Sequence, residues 1–269
     1  NFHLTPSPNR LGRTIPALPM GPEDESYHEL PSSESLQRFA KRVYCCVPFL
    51  LLSLVPFVLF YCILAKADHV PWTVFLIGAG GWWLAFILRV PIILASKGIV
   101  KEESKLQNIT ILLSGPAEES VRIAILFLCG WNTHFGHIFA LGLGWTGIEL
   151  LFTVLQCVAS VQLLHGVQQG DAKAIEAFGA LRTQTGRDPL SLDPAWGVLE
   201  RCSAHAIHIS MSLYGGLSPW IFLITAPAHS ILNWSTVKLM SKIGILVVET
   251  LLFCASVALM GAALAIWGH

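Results

Sequence analysis

Long apolar stretches separated by short polar ones dominate this chain. Beyond about residue 40, seven apolar segments follow one another at approximately 44–65, 71–95, 108–130, 137–165, 196–217, 219–240 and 243–267. Each is close to the roughly 20 residues a helix needs to cross a bilayer's hydrocarbon core. The pattern predicts an all-α fold, a polytopic transmembrane bundle of about seven helices within a membrane domain at 41–269. The fourth segment is long enough to tilt or to project from the membrane. Residues 1–40 break the pattern: they hold six of the fifteen prolines, with many Ser and Glu. That composition predicts a disordered tail and is the opposite of a signal peptide's apolar stretch.

The polar connections set the orientation. Arg38, Lys41 and Arg42 precede the first segment, and Lys97, Lys101 and Lys105 follow the second. Lys173, Arg182 and Arg187 follow the fourth, and Lys238 and Lys242 the sixth. The alternate connections hold only Lys66 with Asp68, or no charge. The positive-inside rule therefore predicts a cytosolic N-terminal tail and a C-terminus on the far side. Asn108-Ile-Thr110 would face the cytosol and Asn233-Trp-Ser235 would lie inside a helix, so neither predicts glycosylation.

Composition agrees with a bilayer. The chain is 54% hydrophobic and 13% charged, against about a quarter charged in soluble domains. Formal net charge is zero, which offers nothing to a nucleic acid. The seven cysteines form no CxxC pair and read as buried thiols. Cys45 and Cys46 follow the first basic cluster, where either S-palmitoylation or a plain helix start would suit them.

Against this apolar background a few residues stand out. A charge at the bilayer centre costs at least about 2.5–3.5 kcal/mol on insertion scales, so each needs a reason. The third segment carries Glu118, Glu119 and Arg122, with Pro116 just before them. Glu118 and Arg122 are four residues apart on one face, where they can pair. The fourth carries Gly142, Gly144, Trp145, Gly147 and Glu149; its glycines allow a close neighbour. The fifth carries Glu200, Arg201, His205 and His208, the sixth His229 and Asn233, and the seventh Glu249. At about 1.5 Å per residue, Glu118, Glu149, His208 and His229 all fall roughly 15–18 Å into their helices, near the midplane. Carboxylates and imidazoles at one depth are what a buried metal site needs, with one Glu to take a proton from water. The plainer reading is local bonding: Glu118 to Arg122, Glu200 to Arg201 or a lipid headgroup, and His208 to a nearby carbonyl. His205 fits either a supporting partner of His208 or an interior lining residue.

At these residues the sequence resembles the YhfC-type branch of intramembrane metalloprotease-like proteins. That group is related to the CAAX prenyl endopeptidase and PrsW families and to the anterior-pharynx-defective subunit of gamma-secretase. The resemblance rests on Arg89-Val-Pro91, Glu118-Glu119-x-x-Arg122, Gly144-x-x-Gly147-Ile-Glu149, Glu200-Arg201-x-x-Ala204-x-x-x-His208-x-x-x-Ser212 and His229-x-x-x-Asn233. It implies Glu118 as general base and His208 and His229 as metal ligands or as groups that polarise the scissile carbonyl. It implies Asn233 as an assisting hydrogen-bond donor, with Glu119 and Arg122 completing the catalytic motif. The chain departs from the pattern at Trp145, where the family usually has His, and at Leu141, where it has Phe. An indole nitrogen only donates and cannot bind zinc. Glu149, one turn on, then becomes the expected third ligand beside His208 and His229.

The reading that follows is a zinc-dependent intramembrane endopeptidase acting on a membrane-associated protein or peptide. The alternative is a catalytically inactive scaffold that kept the bundle and binds partner helices. A proton-relaying transporter is a third, weakened because no inverted repeat is visible. The cytosolic tail points to a eukaryotic endomembrane such as the endoplasmic reticulum.

Overall fold

The computed structural model describes residues 30–64, 70–185 and 188–268, and these form helices and short connections, with no strand among them. Ten α-helices follow in order: α1 Ser33–Leu52, α2 Val55–Leu64, α3 Thr73–Ile99, α4 Glu103–Leu112, α5 Ser114–Leu128, α6 Phe135–Gln168, α7 Ala172–Thr185, α8 Ala195–Leu217, α9 Phe222–Ile243 and α10 Ile245–Trp267. The all-helical expectation holds. Four helical stretches are long and apolar enough to cross a membrane: Ser33–Ile63, Thr73–Ile99, Phe135–Gln168 and Ile245–Trp267. Their apolar surfaces suit a lipid bilayer.

Two prolines explain two breaks. Pro56, near the start of α2, has no N–H to give the carbonyl of Leu52, and the first apolar stretch bends at Ser53–Leu54. Pro116 likewise cannot bond the carbonyl of Leu112, so the expected single helix at 108–130 is two, α4 and α5. The freed Leu112 carbonyl accepts the Ser230 hydroxyl from α9 at 2.7 Å. The break is therefore satisfied across the bundle rather than by the helix itself.

Two further expectations are corrected. The tail boundary at residue 40 lies too late, because α1 begins at Ser33; residues 1–29 lie outside the described residues. Leu36 and Phe39 draw that first turn into an apolar cluster with Leu164, Val167 and Phe178, and apolar burial outweighs the polar local composition. α7 was not among the predicted segments. It supplies Phe178 to the same cluster and is held there by burial, not by membrane-spanning length.

Close helix crossings centre on α6. A Cβ on Gly144 would collide with the carbonyl of Phe75, and one on Gly78 with the carbonyl of Leu141, so α3 and α6 meet backbone to backbone. Gly142 faces α8 instead, where a Cβ would lie 3.0 Å from Ile209 Cα. α8 is the central element: every residue from Ser203 to Leu213 is buried. Its Glu200, Arg201, His205 and His208 keep it from resembling a lipid-facing span, yet protein surrounds it on all sides.

Candidate functional site

α5, α6, α8 and α9 bring their polar residues to one place. Glu118, Glu119 and Arg122 from α5 are each at most 5% exposed, as are Trp145 from α6, His208 from α8 and His229 from α9. The α5–α9 contact that sets this geometry depends on Gly115, whose added Cβ would strike the carbonyl of Ala226 and the Ser230 hydroxyl. Asn233 Nδ2, one turn beyond His229, donates to Ser114 Oγ at 3.0 Å and ties the same two helices.

The pairing differs from the expected one. Arg122 bonds Glu119, not Glu118: Nη1 to Oε1 is 2.7 Å, a pair three residues apart with both side chains fully buried. Glu118 turns the other way, to Arg89 Nη1 at 3.4 Å and to the indole N–H of Trp145 at 3.2 Å. Arg122 also lies over the Trp145 ring, 4.5 Å from its centroid. The roughly 100° between successive helical residues separates the two carboxylates, and each takes its own cation.

The two imidazoles have distinct roles. His208 Nδ1 meets Arg122 Nη2 at 3.1 Å. A guanidinium only donates, so Nδ1 accepts and Nε2 carries the proton. That Nε2 lies 2.8 Å from Glu149 Oε2. The expected bond from His208 to a nearby carbonyl is absent among the described residues. His229 Nδ1 lies 2.8 Å from Glu119 Oε1 and donates to it, which leaves Nε2 with its lone pair facing Glu118 Oε2 at 4.0 Å. His208 Nδ1 is also 4.0 Å from that oxygen.

One ligand atom each from Glu118, His208 and His229 lies within 4.8 Å of the others, so this buried group could hold a metal ion. Of the expected ligands Glu149, His208 and His229, the two histidines belong to this group, and the carboxylate within reach of both is Glu118. Glu149 accepts Arg201 Nη1 at 2.9 Å through Oε1, while its Oε2 stays 2.8 Å from His208 Nε2. Arg201 also bonds Glu200 through Nε at 2.7 Å, as the local reading expected. Four acids thus surround three guanidinium groups, each within 4 Å of at least one.

A cavity of about 350 Å³ reaches this cluster, lined by Arg89, Glu118, Glu149, His208, His229 and Asn233 on its polar side. Ile111, Leu232 and Leu252 add apolar lining. His205 stands apart. Its Nε2 is 2.9 Å from Ser53 Oγ, and its Nδ1 bonds Thr146 Oγ1, so it clamps the α1–α2 bend to α6. Glu249 is buried at 1% exposure but is not among the residues lining the cavity.

Sequence reasoning did not assign Arg89 to the site. Its signal was legible: an arginine well inside the apolar run 71–95 needs a buried acid. Trp145 was read only as a lost ligand, and its N–H bond to Glu118 needed coordinates. Comparison with protein-family models, curated proteins and solved structures gave no match.

Proposed function

We propose that this chain is a multi-pass membrane endopeptidase in which Glu118 activates water against a peptide bond held in the cavity. The observation that carries this reading is the cavity itself. A bundle that used Glu118, His208 and His229 only as internal glue would close on them. Here about 350 Å³ opens onto all three and onto Asn233.

The roles follow from the hydrogen bonds. Glu118 Oε2 and His229 Nε2 stand 4.0 Å apart, a gap that one water spans by bonding both. Glu118 takes the proton of that water as its oxygen bonds the carbonyl carbon, and returns it to the amide nitrogen as the C–N bond breaks; general acid–base catalysis of this kind contributes about 10²–10⁴-fold. Arg89 and the Trp145 N–H hold the carboxylate in place. Glu119 fixes the His229 tautomer through Nδ1. Asn233 Nδ2, leaving Ser114, donates to the carbonyl oxygen as it gains negative charge. Glu118, His208 and His229 are donor types that zinc takes, but Trp145 and Arg122 already give N–H groups to two of them, so no step here runs through a metal.

The finer topology is part of the same proposal. Seven spans, counting α1–α2 and α4–α5 as one each, put the N-terminus in the cytosol by the distribution of Lys and Arg. Thr110, Thr236 and Glu200, toward the helix ends expected to be cytosolic, also line the cavity. The substrate is then a protein segment entering from the cytosolic side of a eukaryotic endomembrane. A scaffold for partner helices is the second reading. The saturation of Glu118 and His208 by Trp145, Arg89 and Arg122 favours it.

The test compares membranes carrying the parent chain with membranes carrying Glu118→Gln, by mass-spectrometric profiling of new protein termini. Termini present only with the parent support the peptidase. Identical profiles, with both proteins folded and equally abundant, sink it in favour of the scaffold.

A further inference from the structure

A metal ion at Glu118, His208 and His229 needs three lone pairs aimed at one point, and in this structure two of the three already receive N–H groups. Trp145 Nε1 donates into Glu118 Oε2 at 3.2 Å. Arg122 Nη2 donates into His208 Nδ1 at 3.1 Å. Arg89 adds a second cation, 3.4 Å from Glu118 Oε1. His229 Nε2 alone has no hydrogen-bond partner among the described residues. The two blocking groups also brace each other, with the Arg122 guanidinium 4.5 Å from the Trp145 ring centroid. Such a contact is strongest where water is excluded, as it is here.

We infer that Trp145, with Arg122, takes the place of a cation at this cluster and keeps it free of a tightly held divalent ion, and that Trp145→His turns it into a zinc site. Positive charge and N–H dipoles face Glu118 here, where a metal would otherwise stand. An incoming ion must displace the Arg122 hydrogen bond from His208 Nδ1, share Glu118 Oε2 with the Trp145 N–H, and sit beside two guanidinium groups in a medium that screens charge poorly.

The geometry of the rings makes the second half of the inference specific. The indole's first ring and imidazole are both five-membered, and Nε1 of one and Nε2 of the other are reached from Cβ through the same number of bonds. In Trp145→His, an imidazole laid on the former indole therefore presents a lone pair where Trp145 now presents N–H, beside Glu118. The surroundings are built for the larger ring. Gly81 leaves the room: a Cβ there would lie 2.9 Å from Trp145 Cζ3 and 2.7 Å from Ile125 Cδ1. Gly81→Ala is accordingly the natural companion of Trp145→His, since it refills part of the space the six-membered ring vacates.

Only the choice of this cluster as the site is shared with the proposed function, and the test needs no substrate. Full-length protein in detergent, stripped with a chelator, is titrated with zinc chloride by calorimetry, and retained metal is counted by mass spectrometry. The parent is expected to retain none. Trp145→Phe, which removes the donor without adding a ligand, should bind zinc at least about tenfold more tightly than the parent, the scale of an outer-shell change. Trp145→His should retain about one zinc per chain, lost again when His229→Ala is added. If Trp145→His proves too unstable to purify, its Gly81→Ala companion and Trp145→Phe decide the matter. A parent that retains stoichiometric zinc, or a folded histidine variant that gains none, overturns the inference. Neither result bears on whether Glu118→Gln changes the terminal profile, so the two readings fail separately.

Discussion

His205 and His208 sit one turn apart on α8, both buried, and their surroundings differ in kind. His205 meets two hydroxyls, those of Ser53 and Thr146, with the Phe57 ring edge-on at 5.8 Å. Ser53 gives its proton to the carbonyl of Leu50 at 2.5 Å, so it accepts from His205 Nε2–H, and Thr146 donates to Nδ1. Every partner is neutral and every proton is assigned, and His205 does not line the cavity. His208 meets Arg122, Glu149 and, at longer range, Glu118, and it borders the open space. A buried imidazole saturated by hydroxyls fastens helices together. One set among ions at a cavity wall borders charge that can be redirected. Sequence spacing alone does not tell them apart.

The largest effect expected from breaking that comparison comes from Arg122→Met, which is close in length and uncharged. It strips Glu119 of its cation, His208 of its donor and Trp145 of its ring partner. Removing one partner of a buried ion pair costs about 3–5 kcal/mol. Thermal unfolding in detergent should show a clearly lowered midpoint. An unchanged midpoint would mean that the charges around His208 contribute no more than the hydroxyls around His205.

Next is Glu118→Gln, which keeps size and acceptor capacity for Trp145 while losing the charge that Arg89 faces. Its stability cost should be smaller than that of Arg122→Met. Cleavage should fall by about 10²–10⁴-fold if Glu118 is the base. A variant that stays folded and still cleaves at the parent's rate assigns the proton transfer elsewhere.

Much of this contrast was legible before any coordinates, and the reason is the bilayer. An apolar background makes each charge conspicuous, so Glu118, Glu119, Arg122, Glu149, His208 and His229 stood out together, and depth estimates from helix rise put four of them at one level. The structure does bring them into one cluster. Partner choice was not legible. Glu118 and Arg122 share a helical face, yet a cation from α3 and an indole from α6 claim Glu118, and neither is a helical neighbour. That Glu118, and not Glu149, is the carboxylate near both histidines has the same origin, since Glu149 lies between Arg201 and His208, both on α8. Helix ends failed for a different reason. Leu36 and Phe178 are scattered among polar residues, and only their long-range burial with Leu164 and Val167 reveals the first turns of α1 and the existence of α7. Pro116 announced a disturbance in its helix. That Ser230 would cap the freed carbonyl was decided by the approach of α9 at Gly115.

His205→Leu tests the neutral side of the comparison. Leucine fills a similar volume and removes both hydroxyl contacts. Ser53 keeps its own acceptor at Leu50, while the buried Thr146 hydroxyl loses the nitrogen to which it donates. The expected cost is about 1–2 kcal/mol, the scale of a lost buried hydrogen bond with modest repacking. Zinc affinity and terminal profile should stay as in the parent. A change in either would show that the α1–α2 bend positions the Glu118 cluster, and the division drawn between the two histidines would fail.

The smallest effect worth measuring is at the α4–α5 break. Ser230→Ala leaves the Leu112 carbonyl, already deprived of a helical donor by Pro116, without the hydroxyl that now reaches it at 2.7 Å. One lost hydrogen bond to a partly buried carbonyl costs about 1 kcal/mol. Its local consequence is sharper, because Ser230 is adjacent to His229 and Leu112 is two residues from Ser114, which holds Asn233. Hydrogen exchange should speed at residues 110–114 relative to the parent, while the cluster around Leu36 and Phe178 exchanges as before. If the loosening instead spreads evenly through the bundle, the break at Leu113 is merely one joint among many. If it stays local, the segment facing the cavity opens independently of the rest, which is the movement a peptide would need in order to reach Glu118.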